Sequence, residues 1–451
     1  MDTNLHNKNI LFIGIGGISM SGLARICKHL GANIFGTDIT ANENVLSLKK
    51  DCIAKIKIGN SPSFVNIADI IIYTNAIKQN NLDLKLAKRL NKSIYERATF
   101  LGIISCKYKN TIAISGTHGK TTTTCLLGWI FDIANKPYTV HIGGISNNLG
   151  SNIKINGFKY FITEACEYQK SFLHLNPNTT IINNIEFDHP DCFKNIDDIT
   201  KTFIQLSNQT KDLLIINGDS LNISTFQHKN TLTFGLKNTN TIYAKNIITK
   251  NSKTYFDVVF KNKILGQLCT NLIGNHNIYN ILAATLLALS YSISFADIQQ
   301  ATLTFNGTKR RLECLNHSPN VFLDYAHHPS EIKATISSLM QYYGKITVVF
   351  QPHTYSRTLA LINEFSSCFL GVSVLYILPT YPAREKEIIG GRAIDLFYNI
   401  QSIDAQYISN PQSLIYLLNN NIKPNDTVLF LGAGDIDIIA KTYVKTIIKS
   451  K

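Results

Sequence analysis

Short apolar runs that end in glycine or acid-containing turns recur along the chain, and most are followed by apolar positions at helical spacing. The first is Asn9 to Phe12, followed by Gly14-Ile15-Gly16-Gly17-Ile18-Ser19-Met20-Ser21-Gly22 and by a helical pattern through Leu23, Ile26 and Leu30 that stops at Gly31. A second strand, Asn33 to Gly36, leads to Asp38, so the opening reads as a β-α-β unit. A further run, Ile70 to Tyr73, ends in the polar turn Thr74-Asn75-Ala76-Ile77. Apolar runs then recur at Ile112–Ile114, Tyr160–Ile162, Thr180–Ile185, Val321–Leu323 and Val428–Leu431, and a long helical pattern passes through Leu282, Leu286 and Leu289. Strands alternating with helices predict an α/β protein with mostly parallel sheets.

The run at Ile112–Ile114 carries the most chemistry. It leads into Ser115-Gly116-Thr117-His118-Gly119-Lys120-Thr121-Thr122-Thr123-Thr124 and then a helix through Leu126, Leu127 and Ile130. Strand, glycine turn and lysine-opened helix together read as a phosphate loop. Small residues let backbone N–H groups approach phosphate oxygens, Lys120 supplies positive charge, and the Thr121 hydroxyl suits Mg2+. The full eight-residue pattern is not met, because Ile114 stands where its first glycine would be. Two later strands end in acids, at Thr163-Glu164-Ala165-Cys166-Glu167-Tyr168 and at Glu186-Phe187-Asp188-His189-Pro190-Asp191. In a parallel sheet these ends flank the phosphate loop, where Glu164 and His189 could hold Mg2+ with Thr121.

Length and composition narrow the class. At 451 residues the chain is too long for one ordinary core and predicts two to three domains, and 45% hydrophobic with 16% charged residues is ordinary for a globular protein. The net charge of +14 comes from scattered lysines without arginine-rich runs, which favours anionic small substrates over nucleic acid. Nine cysteines with no C-x-x-C pair predict free thiols and a cytoplasmic setting. With no long apolar run, neither export nor a membrane is expected. A nicotinamide-dependent oxidoreductase using Gly14 to Gly22 is a remoter reading that leaves the phosphate loop unexplained.

Further motifs follow in order. Gly274-Asn275-His276-Asn277-Ile278-Tyr279-Asn280 starts the long helix, with Asn277 and Asn280 on one face. Arg310-Arg311-Leu312-Glu313 precedes the strand ending in Asp324-Tyr325-Ala326-His327-His328-Pro329, and Gln351-Pro352-His353-Thr354-Tyr355-Ser356-Arg357 follows the next strand. G-T-H-G-K-T-T-T, E-A-x-E-Y, F-D-H-P-D and these later motifs, taken together, resemble the Mur ligases, ATP-dependent enzymes that build the peptidoglycan precursor peptide.

The resemblance implies three domains: an N-terminal Rossmann-like domain for a uridine nucleotide at 1–106, a central P-loop ATPase domain with a mostly parallel sheet at 107–305, and a C-terminal Rossmann-like domain at 306–451. It implies that Gly116, Thr117, His118, Gly119, Lys120, Thr121, Thr122, Asn277, Asn280, Arg311 and Asp324 contact ATP. Lys120, Glu164, His189, Arg311 and Asp324 then carry the chemistry, with Thr121, Glu164 and His189 on Mg2+. Gly14, Gly16, Gly17, Ser19, Met20, Asp38, Thr74, Asn75 and Glu167 are expected to contact the UDP-sugar. The doubled histidine and the Gln351–Thr358 segment fit the branch that joins L-alanine to UDP-N-acetylmuramate, with His328, His353 and Arg357 as L-alanine contacts; the branch that adds a tripeptide during cell-wall recycling fits less well. Arg310 is read as a solvated neighbour of Arg311. The expected protein is a monomer or homodimer.

Overall fold

The computed structural model describes residues 4–250, 253–401 and 403–449. It contains three sheets. The first is fully parallel, in the order Lys55–Ile58, Asn33–Asp38, Asn9–Ile13, Ile70–Tyr73 and Ser93–Glu96. Its central strand is buried on both faces, which is why Asn9–Ile13 reads as a continuous apolar run rather than an alternating one. The expected β-α-β opening is present, with the helix at Ile18–His29.

The second sheet has ten strands. From one edge to the other these are Lys263–Thr270, Lys253–Phe260, Ile242–Lys250, Thr231–Gly235, Leu213–Asn217, Thr179–Ile182, Asn110–Ser115, Tyr160–Glu164, Tyr138–His141 and Ile153–Asn156. The seven strands from Ile242–Lys250 to Tyr138–His141 run parallel, while Lys253–Phe260, Lys263–Thr270 and Ile153–Asn156 pair antiparallel at the edges. The phosphate-loop strand Asn110–Ser115 lies between the two acid-ended strands. Register and direction therefore deliver Glu164, Asn183 and the loop to one carboxyl edge, where open parallel sheets bind ligands. Behind them, the helices Lys120–Ile133 and Asn275–Ser290 share one core through Leu126, Leu127, Ile130, Ile278, Ile281 and Leu282.

In the third sheet the order is Glu313–His317, Asn320–Asp324, Thr427–Leu431, Thr347–Phe350, Val374–Ile377 and Ala405–Tyr407, parallel except for the first strand. The last strand in the chain is thus interior to its sheet. Asp324 and Gln351 sit at the carboxyl ends of the two strands that flank Thr427–Leu431, and the helix Pro329–Tyr343 starts directly after the doubled histidine. His328 caps that helix, its side chain accepting from the Ser330 N–H, and proline occupies the first helical position.

Candidate active site

The N-terminal glycine turn differs from the expected ligand cradle in three respects. Asp38 does not stand free for a ribose: one of its oxygens accepts from the Gly16 N–H at 2.8 Å and the other from Thr40 N at 3.2 Å. Met20 is 1% exposed in the apolar core, so it packs rather than binds. Ser19 turns toward the central domain, its hydroxyl 3.2 Å from His141 Nε2. The spacing of a glycine turn does not reveal which of its polar groups close the turn itself. Gly14, Gly16, Gly17, Thr74 and Asn75 do share the carboxyl edge of this sheet. Asn75 also reaches the central domain, donating to Gln169 Oε1 at 2.5 Å.

At the phosphate loop Gly119 caps the helix with φ near 81°, a left-handed conformation that glycine adopts without strain. A Cβ there would also run into Asn280 Oδ1. The Lys120 ammonium folds back over the loop, donating to Gly116 O at 2.5 Å and Thr117 O at 3.0 Å. It also meets the Glu167 carboxylate at 3.0 and 3.1 Å. Burial opposes its charge, but Glu167, with Cys166 and Glu164 close by, raises its pKa on balance. Glu167, expected on the UDP-sugar, is instead 1% exposed and committed to Lys120.

Glu164 accepts from Thr121 Oγ1 at 3.1 Å and from the Gly143 N–H at 2.7 Å. Burial raises its carboxyl pKa, which marks a site where a cation would relieve an unfavourable charge. Two oxygen donors on the phosphate loop's flank fit a hard cation such as Mg2+. His189 does not complete this set: the carboxylates within 4 Å of its Nε2 are Glu167 at 3.8 Å and Asp188 at 3.7 Å, not Glu164.

A cavity of about 810 Å³ opens beside the loop, between the central and third domains. His118, Gly119, Thr121, Thr122, Asn277 and Asn280 line it from one side, Arg311 and Asp324 from the other. The two asparagines are joined, Asn280 Nδ2 donating to Asn277 Oδ1 at 3.2 Å, and Thr123 donates to Asn280 at 3.3 Å. Asp324 accepts from Leu312 N at 2.7 Å and Ala326 N at 2.6 Å, and burial raises its pKa to about 6. Arg311 lies 3.6 Å from Glu331. Arg310 is not a solvated neighbour: it donates to Gly432 O and Gly434 O at 3.1 and 2.8 Å, stitching the domain's entry to its last glycine turn.

The doubled histidine splits. His328 Nε2 lies 3.1 Å from Phe187 O of the central domain, and its ring is 5.1 Å from that of His118, so it belongs to the phosphate-loop side rather than to the amino-acid contacts. His327 instead neighbours His353, with ring centroids 5.7 Å apart, and His353 stacks on Tyr381. Burial, aided by Arg357, lowers the pKa of His327 to about 3 and of His353 to about 4. Arg357 pairs with Asp188 at 2.9 Å, both side chains 5% exposed, and so ties the third domain to the central one. Burial opposes the Asp188 charge, but Arg357 holds its carboxyl well below the usual range.

Glu331 is the residue that sequence reasoning missed most completely. Its carboxylate reaches His118 Nδ1 at 3.0 Å, Arg311 at 3.6 Å and His327 at 3.7 Å. Burial works against a charged His118, but Glu331 and Glu186 raise its pKa to about 10. The only signal was an acid on the first turn of a helix that follows His-His-Pro, a position acids favour for the helix dipole alone.

Three family models match the chain in order: the Mur ligase family catalytic domain over residues 9–109, the Mur ligase middle domain over 114–288, and the Mur ligase glutamate ligase domain over 310–434. Among similar proteins, the UDP-N-acetylmuramate--L-alanine ligase of Caldicellulosiruptor bescii is 39% identical, covering 97% of this chain and 99% of the relative. That of Clostridium acetobutylicum is 38% identical, covering 97% and 98%. In solved structures, the UDP-N-acetylmuramate-alanine ligase of Thermotoga maritima matches with TM-score 0.84 at 26% identity, covering 99% of this chain and all of that one. A murein peptide ligase from Psychrobacter arcticus shares the fold, with TM-score 0.71 at 22% identity, covering 97% and 98%.

Proposed function

The chain belongs to the Mur ligase family, and from that premise we propose that it joins L-alanine to the lactyl carboxylate of UDP-N-acetylmuramate with ATP as the energy source. The observation that carries this reading is the meeting of the phosphate loop, through His118, Gly119 and Thr121, with Arg311 and Asp324 at one interdomain cavity large enough for a nucleotide, with Glu164 bonded to Thr121 behind it. The reaction transfers the γ-phosphoryl group to the carboxylate, and the α-amine of L-alanine then displaces phosphate from the acyl phosphate. Products are the amide, ADP and phosphate.

Both reacting groups of the first step are anionic, so catalysis rests on positioning and on spreading charge. Arg311 supplies a fixed positive charge in the cavity wall, and Lys120 a second one from the phosphate loop. Thr121 and Glu164 would hold Mg2+, which when bound neutralises phosphate charge. For Lys120 to meet phosphates it leaves Glu167, which keeps its second neighbour His189. His353 and Arg357, with His327 beside them, form the amino-acid side of the site, and Arg357 suits a carboxylate through its forked donors. Gly14, Gly16, Gly17, Thr74 and Asn75 receive the uridine nucleotide at the N-terminal sheet edge. Segments 1–106, 107–305 and 306–451 act as the three working units, in a cytoplasmic enzyme.

Phosphate release from ATP and Mg2+ tests the reading, with UDP-N-acetylmuramate present and L-alanine, the L-Ala-D-Glu-diaminopimelate tripeptide or no acceptor added. Turnover with L-alanine alone is the expected result. Turnover only with the tripeptide moves the chain to the recycling branch, and no turnover with any acceptor removes the ligase assignment for this copy.

A further inference from the structure

Beside the phosphate loop, on the side away from Glu164 in sequence and sheet order, four donor atoms from two domains point at one another. His118 Nε2 is 3.2 Å from Glu186 Oε2, and His328 Nδ1 is 3.8 Å from the same oxygen. The three donor atoms all lie within 4.8 Å of one another. Ser330 Oγ forms the fourth corner, 2.6 Å from Glu186 Oε2, 2.8 Å from His328 Nδ1 and 3.1 Å from His118 Nε2. Ligands about 2.0–2.1 Å from a tetrahedral zinc ion stand roughly 3.3–3.4 Å apart, so these separations straddle what such a site needs.

The far side of each imidazole strengthens the case. His118 Nδ1 meets the Glu331 carboxylate at 3.0 Å, and His328 Nε2 meets the Phe187 carbonyl at 3.1 Å. An acceptor on the opposite ring nitrogen is how metal-binding histidines are held in the correct tautomer and orientation. Both rings have one, each from the other domain: Glu331 belongs to the helix Pro329–Tyr343 and Phe187 to the segment after Thr179–Ile182.

We propose that His118, Glu186 and His328, with Ser330 as fourth donor, form a binding site for a divalent transition-metal cation of the zinc class, distinct from the Mg2+ position at Thr121 and Glu164. Two imidazole nitrogens select a borderline cation over Mg2+, which prefers oxygen. His328 Nδ1 also accepts from the Ser330 N–H at 3.3 Å, so the cation takes that lone pair in place of the cap bond and, with donors from the phosphate loop, the central domain and the start of a third-domain helix, ties the third domain onto the loop. The inference does not depend on which acceptor the ligase uses.

Co2+ titration of the nucleotide-free full-length chain tests it, since four-coordinate Co2+ absorbs visibly and thiolate ligation adds a separate charge-transfer band. The expected result is one equivalent of four-coordinate Co2+ without the thiolate band, displaced by Zn2+ but not by excess Mg2+. Glu186→Gln and His328→Asn should each weaken binding at least tenfold; the second keeps a side-chain acceptor for the helix cap, and circular dichroism checks that each variant is folded. If His328→Asn is misfolded, Glu186→Gln decides alone. Absence of the visible bands, a thiolate band from the free cysteines, or binding unchanged in the folded variants overturns the proposal.

Discussion

Lys120 Nζ lies 3.0 Å from Glu167 Oε2, so the residue that should meet ATP phosphates is already paired with a buried carboxylate. Phosphate and Glu167 compete for one ammonium. The competitor is supplied by the same E-A-x-E-Y segment that delivers Glu164 to the cation position.

Glu167→Gln removes the competitor while keeping the shape. Free protein should melt earlier, because a buried ammonium loses its charge partner. ATP binding without UDP-sugar should tighten by up to about tenfold, or ~1.4 kcal/mol. Nucleotide titration and thermal melting of the same samples check both; weaker ATP binding would show that Glu167 assists rather than competes.

Loop geometry gives a contrast between two glycines. Gly119→Ala places a methyl group against Asn280 at a left-handed position, so ATP binding should be lost. Gly150→Ala has a similar left-handed φ of 65° but open space around it, so it should cost only ~1–2 kcal/mol of stability and leave ATP binding intact. Lys120→Ala should lower turnover by about 10²–10³-fold with the fold preserved. Equal ATP affinities for the two glycine variants would refute the close approach of loop and asparagine.

Removing one partner of the buried Asp188–Arg357 pair should be costly, about 3–5 kcal/mol. Asp188→Asn should therefore lower stability. Arg357→Ala should do so too, and should raise KM for L-alanine far more than KM for ATP. Steady-state kinetics with each substrate varied in turn measures the split; matched KM changes would make Arg357 a structural tie and nothing more.

Folded His118 has its pKa raised from 6.5 to about 10, so its ion pairs contribute full stability below about 6.5 and lose it as pH rises toward 10. Glu186 has its pKa lowered from 4.5 to about 2, so its contribution is whole above 4.5 and lost as pH falls toward 2. The stability difference between the parent and His118→Asn should be largest between pH 4.5 and 6.5 and shrink above 6.5. Denaturant melts across this range test it, and a difference that grows toward pH 10 would reverse the assigned sign.

Most of the strand-and-helix order was legible because parallel strands buried on both faces leave continuous apolar runs, as in Ile112–Ile114 and Ile70–Ile72. The phosphate loop was legible for a different reason: its chemistry is local, packed into a few consecutive residues. What local patterns do not carry is pairing between domains. His118 and Glu331 are 213 positions apart, and neither periodicity nor turn chemistry links them. Met20 and Asp38 misled for the complementary reason, since a glycine-turn motif looks the same whether its neighbours face a ligand, the core or the turn's own backbone. Arg310 and Arg311 are adjacent, yet only tertiary placement decides which meets the glycine turn and which lines the cavity.

The position of Thr427–Leu431 between Asn320–Asp324 and Thr347–Phe350 has a consequence for synthesis. The two strands made before it must wait, each with its inner edge open, until this one leaves the ribosome. Until then the unpaired backbone edges of Asp324 and Phe350 are available to the wrong partners. A ribosome that stalls before residue 427 therefore releases a chain whose first two units can be finished while the third is a ready substrate for chaperones and proteases.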